Sequence, residues 1–170
     1  MESQERKLRR REVSVAARGA AVTLCLLGAA DALAAAPAGR YSYPGGTVST
    51  AVVVYDNVMK LTWQRTATAM SFTNAGAQDY CTSLNTSALG GYSTGWRMPT
   101  MNELLSIVDY RAGHPAVDPT AFPGTATTAF WASTPYSYNG SSGNAWVVDF
   151  TDGVTSHDAV GNTNDVRCVR

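Results

Sequence analysis

The sequence predicts an α+β domain in which two helices pack on a mostly antiparallel sheet with long loops. Three observations carry this. A Val- and Thr-rich stretch turns back on itself at Asp56-Asn57. Two segments with apolar residues at three- and four-residue steps follow it. The last third then alternates short apolar runs with turn residues such as Thr151-Asp152-Gly153. Hairpin, helices and then strands is the order of an α+β domain, not the strict alternation of a parallel α/β sheet.

Residues 1–34 read as a secretory signal peptide. Six bases (Arg6, Lys7, Arg9, Arg10, Arg11, Arg18) lie in a region that runs to Arg18, an apolar stretch covers 19–30, and Ala32-Leu33-Ala34 supplies the small-x-small pattern for cleavage after Ala34. The apolar stretch is shorter than the roughly 20 residues that span a bilayer as a helix. An uncleaved membrane anchor is the competing reading. The residues after Arg10-Arg11 match a twin-arginine signal poorly, and Cys25 follows Leu24 inside the apolar stretch, so it reads as part of the leader. Residues 35–47, rich in Gly, Pro and Tyr, read as a linker, and 48–170 as the domain. Seven bases and nine acids follow residue 36. The mature part is therefore slightly acidic and lacks the surplus of cations that binds nucleic acid by releasing counterions. The expected address is exported, in the periplasm, at the cell surface or in the medium, with no membrane span after cleavage.

Within the domain, residues 48–55 and 58–65 form the opening hairpin. A helix is expected over about 72–84, where Ala77, Cys81 and Leu84 share one face. A polar loop at 85–95 leads to Pro99 and to Thr100-Met101-Asn102-Glu103, which has the Thr-x-x-Glu form of a capping box. The second helix starts there, carries Met101, Leu104, Leu105 and Val108 on its apolar face, and ends near Tyr110 ahead of Gly113 and Pro115. After a loop at 116–128 come a short strand at 130–134, a loop at 135–144, a hairpin of 145–150 and 154–157, and a closing strand at 165–170.

Cys81 and Cys168 remain once the leader is excluded. In an oxidising compartment an even pair defaults to one disulfide, here closing a loop of about 87 residues and worth roughly 3–5 kcal/mol in the chain-entropy model. Two separate buried thiols are the alternative. The spacing is not that of a redox Cys-x-x-Cys pair, and two cysteines without a nearby histidine make a poor zinc site.

Seven ordered blocks give the chain a resemblance. They are Tyr55-Asp56-Asn57 with Leu61-Thr62-Trp63-Gln64-Arg65; Ala77 with Tyr80-Cys81 and Leu84; Gly90-Gly91-Tyr92; Gly95-Trp96-Arg97-Met98-Pro99-Thr100 leading to Glu103-Leu104; Phe130-Trp131-Ala132-Ser133-Thr134; Ala145-Trp146-Val147-Val148-Asp149-Phe150-Thr151-Asp152-Gly153; and Val166-Arg167-Cys168-Val169-Arg170. In this order, over about residues 50–170, they resemble the Lcl C-terminal domain family. That family is in turn similar to C-type-lectin-like domains and to formylglycine-generating enzymes, whose Arg-Leu-Pro-Thr segment is similar to Arg97-Met98-Pro99-Thr100. The resemblance implies a C-type-lectin-like fold, an extracellular setting and a bridge from first helix to last strand, with adhesin-like binding in some relatives. It does not name a ligand.

The sites follow from residue chemistry. Tyr136, Tyr138, Asn139, Ser141 and Asn144, in the loop at 135–144, combine large rigid contact area with adaptable hydrogen bonding, as recognition loops do. A glycan or protein ligand on an extracellular surface is the expected partner. Trp63, Trp96, Trp131 and Trp146 read as core residues more readily than as sugar platforms, and Arg97 as a tie between loops through backbone carbonyls more readily than as a holder of an anionic ligand. Asp149, Asp152, Asp158, Asn162, Asn164 and Asp165 could supply oxygens to calcium, but the Glu-Pro-Asn and Gln-Pro-Asp triplets of sugar-binding C-type lectins are absent, so no cofactor is assigned. His114 and His157 have no nucleophile beside them in sequence. The expected function is therefore a recognition module, with a formylglycine-generating-type enzyme or a ligand-free envelope component as alternatives.

Overall fold

A computed structural model of the chain describes residues 36–138 and 141–170; the signal-peptide assignment at 1–34 and the candidate Asn139 lie outside the described residues. The opening hairpin is β2 (Val53–Asp56) and β3 (Leu61–Gln64), antiparallel from Val53↔Gln64 to Asp56↔Leu61. Its turn is built by Asp56, whose buried carboxylate accepts the N–H groups of Val58 (2.8 Å) and Met59 (3.1 Å).

The stretch expected as a linker is partly structural. β1 (Tyr41–Ser42) pairs antiparallel with β2 and completes a three-stranded sheet. Arg40 reaches the second oxygen of Asp56 at 2.9 Å, and the Tyr41 ring meets Phe122 edge-on at 5.3 Å. Charge pairing and aromatic burial together fix a segment whose Gly and Pro content reads as loop. Burial also pushes the Tyr41 hydroxyl pKa well above its usual value.

α1 (Asn74–Thr86) lies two residues later than expected because Thr73 caps it, its side chain accepting the Gly76 N–H; Ala77, Cys81 and Leu84 face inward. α2 (Met101–Ser106) opens on the capping box that Thr100 and Glu103 spell out. It stops short of Tyr110 because Val108 leaves the helix to bridge Val117, and the Asp109 N–H bonds the Ala116 carbonyl at 2.9 Å.

The second sheet is β4 (Ala129–Tyr138), β5 (Ser141–Asp149) and β6 (Val154–Ala159), antiparallel throughout. In the stretch at 135–144, expected as a loop, residues 135–138 and 141–144 are instead paired strand. Pro135 has no N–H for a regular ladder, but the register shifts between Trp131 and Pro135 absorb it at an irregularity, and the tyrosines beyond are good strand formers.

The closing strand is also redrawn. Asp165 bonds β4 through Ala129 and Trp131, whereas 168–170 hydrogen-bond Thr62, Gln64 and Arg97 near the first sheet. The last six residues thus tie the two sheets together.

Two cores result. Trp131, Ala145 and Val147 face α1, Trp96 and both cysteines; Phe130, Val148 and Phe150 face α2, Trp63 and Phe122. The second sheet is covered on both sides where the cores lie, while β6 carries no buried residue and the far end of β4 and β5 extends past both cores. Among the described residues no helix is long and apolar enough to cross a membrane.

Candidate functional site

Strand alternation decides which side chains emerge at that end. Ala145 and Val147 are buried toward α1, so Asn144 and Trp146 project from the opposite side of β5. Cross-strand pairing sets Tyr136 opposite Asn144 and Trp146 opposite His157. The rings then gather: Tyr136 meets Trp146 edge-on at 5.0 Å between centroids and stacks on His157 at 3.9 Å with an interplanar angle of 18°. Tyr136 and Trp146 are half-buried and His157 is exposed. Rings held by one another on a strand scaffold present area to a ligand with little rotamer freedom left to lose.

The candidates named from sequence separate accordingly. Tyr136 and Asn144 are cross-strand neighbours within this surface. Tyr138 and Ser141 are backbone register partners where β4 ends and β5 begins. Trp146 and His157 belong to the site although sequence reasoning placed neither there. Trp63, Trp96 and Trp131 are core as expected, but Trp146 is not. The period-two pattern Asn144-Ala145-Trp146-Val147 carried the signal, since its small and β-branched members mark the buried side.

The remaining polar candidates have local work. Asp149 accepts the Thr151 N–H (2.7 Å) and Asp152 the Val154 N–H (3.1 Å), both shaping the β5–β6 turn. Asp165 accepts from the hydroxyls of Ser71 and Thr128, each at 2.7 Å. Asp158 takes the amides of Asn164 (2.9 Å) and Asn162 (2.7 Å); these bonds, the first above all, hold its pKa below the ordinary value against a smaller effect of burial. Among the described residues no group of three or more His, Cys, Asp or Glu is placed to hold a metal ion. His114 donates from Nδ1 to the Thr151 carbonyl.

Arg97 departs from expectation. Its guanidinium binds the Glu103 carboxylate with two bonds of 2.6 and 2.8 Å, and its one backbone-carbonyl contact, to Met98, is long at 3.4 Å. The hydrogen bonds from Arg97 are the largest influence on Glu103 and lower its pKa. The tie to carbonyls is made instead by fully buried Arg167, which donates to the carbonyls of Gln64 and Arg65 and to the Thr125 hydroxyl. Cys81 and Cys168 are bonded to each other, with an S–S distance of 2.00 Å and 5.4 Å between Cα atoms, and both are fully buried.

A family model, that of the Lcl C-terminal domain, matches residues 52–170, a span that includes every element from β2 onward and both bridged cysteines. No curated protein matches the chain.

Proposed function

Because the chain belongs to the Lcl C-terminal domain family, we propose that it is an exported recognition module that binds a glycan on the aromatic surface of Tyr136, Trp146 and His157. The observation that carries this reading is the ring cluster itself, three aromatic side chains from three strands within 5.0 Å of their neighbours on an open end of the sheet. Sugar rings present flat C–H faces, and a rigid aromatic platform with an adjacent amide such as Asn144 suits them. Export is supported by the disulfide, which persists in oxidising compartments, and by the leader pattern at 1–34. A C-type-lectin-like fold is supported by the bridge from first helix to closing segment and by the closing segment's bridge to β3 through Val169 and Trp63, in the sheet that also holds β1. The buried bridge leaves neither Cys81 nor Cys168 as a nucleophile, which weighs against formylglycine-generating chemistry.

A glycan array probed with the exported protein and with Tyr136→Ala and Trp146→Ala tests the reading. Binding should weaken by about tenfold or more in each variant, as it does when an aromatic anchor is lost, while thermal melts remain cooperative. Array binding that survives both substitutions would refute it. Capture of an extracellular protein by the same surface, with no glycan bound, would transfer the site to a protein ligand.

A further inference from the structure

We propose that the cleft between α1 and the 97–100 segment is a second binding site, separate from the aromatic surface, for a small neutral polyhydroxylated ligand the size of one sugar ring. The cleft measures about 360 Å³ and is lined by Gln78, Thr82, Arg97, Met98, Thr100 and Ser133, none of which belongs to the ring cluster. This lies toward the small end of the range for ligand pockets, about 300–1,000 Å³.

Its walls are held from three directions. Gln78 and Thr82 stand one turn apart on α1, the helix that the disulfide fastens. Arg97 is fixed at the backbone by two 2.9 Å bonds with Val169, and Ser133 donates its N–H to the Pro99 carbonyl at 2.7 Å. The cleft is therefore preformed, and a ligand need not organise it.

The polar groups are those a hydroxylated ligand can use. The Gln78 amide donates one N–H to Asn74 at 3.0 Å and keeps its oxygen and second N–H. The Thr82 hydroxyl donates to the Gln78 carbonyl at 2.9 Å, which leaves its oxygen as an acceptor. Ser133 is exposed, and Met98, only 3 % exposed, supplies an apolar floor. Charge sets the ligand class. Arg97 is the one cation of the lining, and Glu103 already occupies it with two hydrogen bonds. An anionic ligand would have to displace a carboxylate tethered six residues away, whereas a neutral one meets a neutralised wall that still offers the guanidinium edge.

Nuclear magnetic resonance titration of the labelled full chain with glucose, galactose, N-acetylglucosamine and glucuronate tests this. The neutral sugars should shift the Gln78 side-chain amide and the Met98 methyl with millimolar affinity, ahead of glucuronate. Gln78→Ala combined with Ser133→Ala, both at exposed positions, should weaken binding at the cleft about tenfold, read at the Met98 methyl. Glu103→Gln should turn the preference toward glucuronate. Signals that stay still with all four sugars, or respond most to glucuronate in the unaltered protein, would overturn the proposal. Shifts confined to the Trp146 indole would overturn it too while leaving the aromatic site standing.

Discussion

Replacing Cys81 and Cys168 together with alanine should remove most of this domain's stability. The bridge closes a loop between positions 87 residues apart, and constraining the unfolded chain over that length is worth about 4–5 kcal/mol. Both sulfurs are fully buried in the core beside Trp131 and Val166, and truncating each adds about 1 kcal/mol for lost packing. The sum, about 6–7 kcal/mol, is comparable with the whole stability of many domains, about 5–15 kcal/mol. Urea unfolding of the oxidised protein and the double variant, followed by tryptophan fluorescence and far-ultraviolet circular dichroism, measures the difference. The denaturant slope should also rise, because the unbridged unfolded chain exposes more surface. A loss below about 2 kcal/mol at an unchanged slope would refute the reasoning. The 2.9 Å bonds of 168–170 to Thr62, Gln64 and Arg97 would then be holding the closing segment without the covalent link.

Four further outcomes are expected. The pKa of Glu103 is lowered by Arg97, so the pair's stabilisation is complete above the unfolded carboxyl value of 4.5 and is lost as pH falls through the lower folded value. Glu103→Gln should flatten that acid limb of thermal stability, by no more than about 1 kcal/mol because Arg97 is half exposed. Gly153→Ala should cost about 2–3 kcal/mol in chemical denaturation, since φ is +81° and a Cβ would sit 2.4 Å from Val108 Cγ1. Gly91→Ala, at φ +85° with nothing within 4 Å, should cost only about 1 kcal/mol. Arg167→Met should cost about 3 kcal/mol in the same assay, because it strips the buried carbonyls of Gln64 and Arg65 of their donor.

Local signals were the legible ones. The capping box at Thr100 and Glu103, the helical face of Ala77, Cys81 and Leu84, and the turn at Asp56 each involve residues within a few positions of one another, so the chain states them directly. The cysteine pair was legible from its even count once Cys25 is assigned to the leader pattern. What escaped depended on distant partners. Tyr41 looks like linker until Phe122, far along the chain, supplies a surface to pack on. Arg167 reads as one base in a terminal strand, although its role is to serve carbonyls about a hundred positions earlier while burial pulls its pKa down to about 9.

The aromatic surface was hidden for a subtler reason, which concerns the faces of a sheet. From Trp131↔Val147 to Pro135↔Ala145, β4 advances four residues while β5 advances two. Side chains alternate with a period of two, so an even excess restores the original face, whereas a single inserted residue would have turned Tyr136 to the other side. The irregularity therefore lengthens β4 without disturbing its alternation, and Tyr136 arrives beside Asn144 on the face that Trp146 shares. Pro135 marks the place in the sequence but gives no count of the extra residues, so composition alone reads the stretch as loop. The same geometry explains why three tryptophans are buried and one is not. Trp63, Trp96 and Trp131 lie where the cores cover the sheets, and Trp146 lies beyond Val148, where β4 and β5 continue past the α2 side of the core.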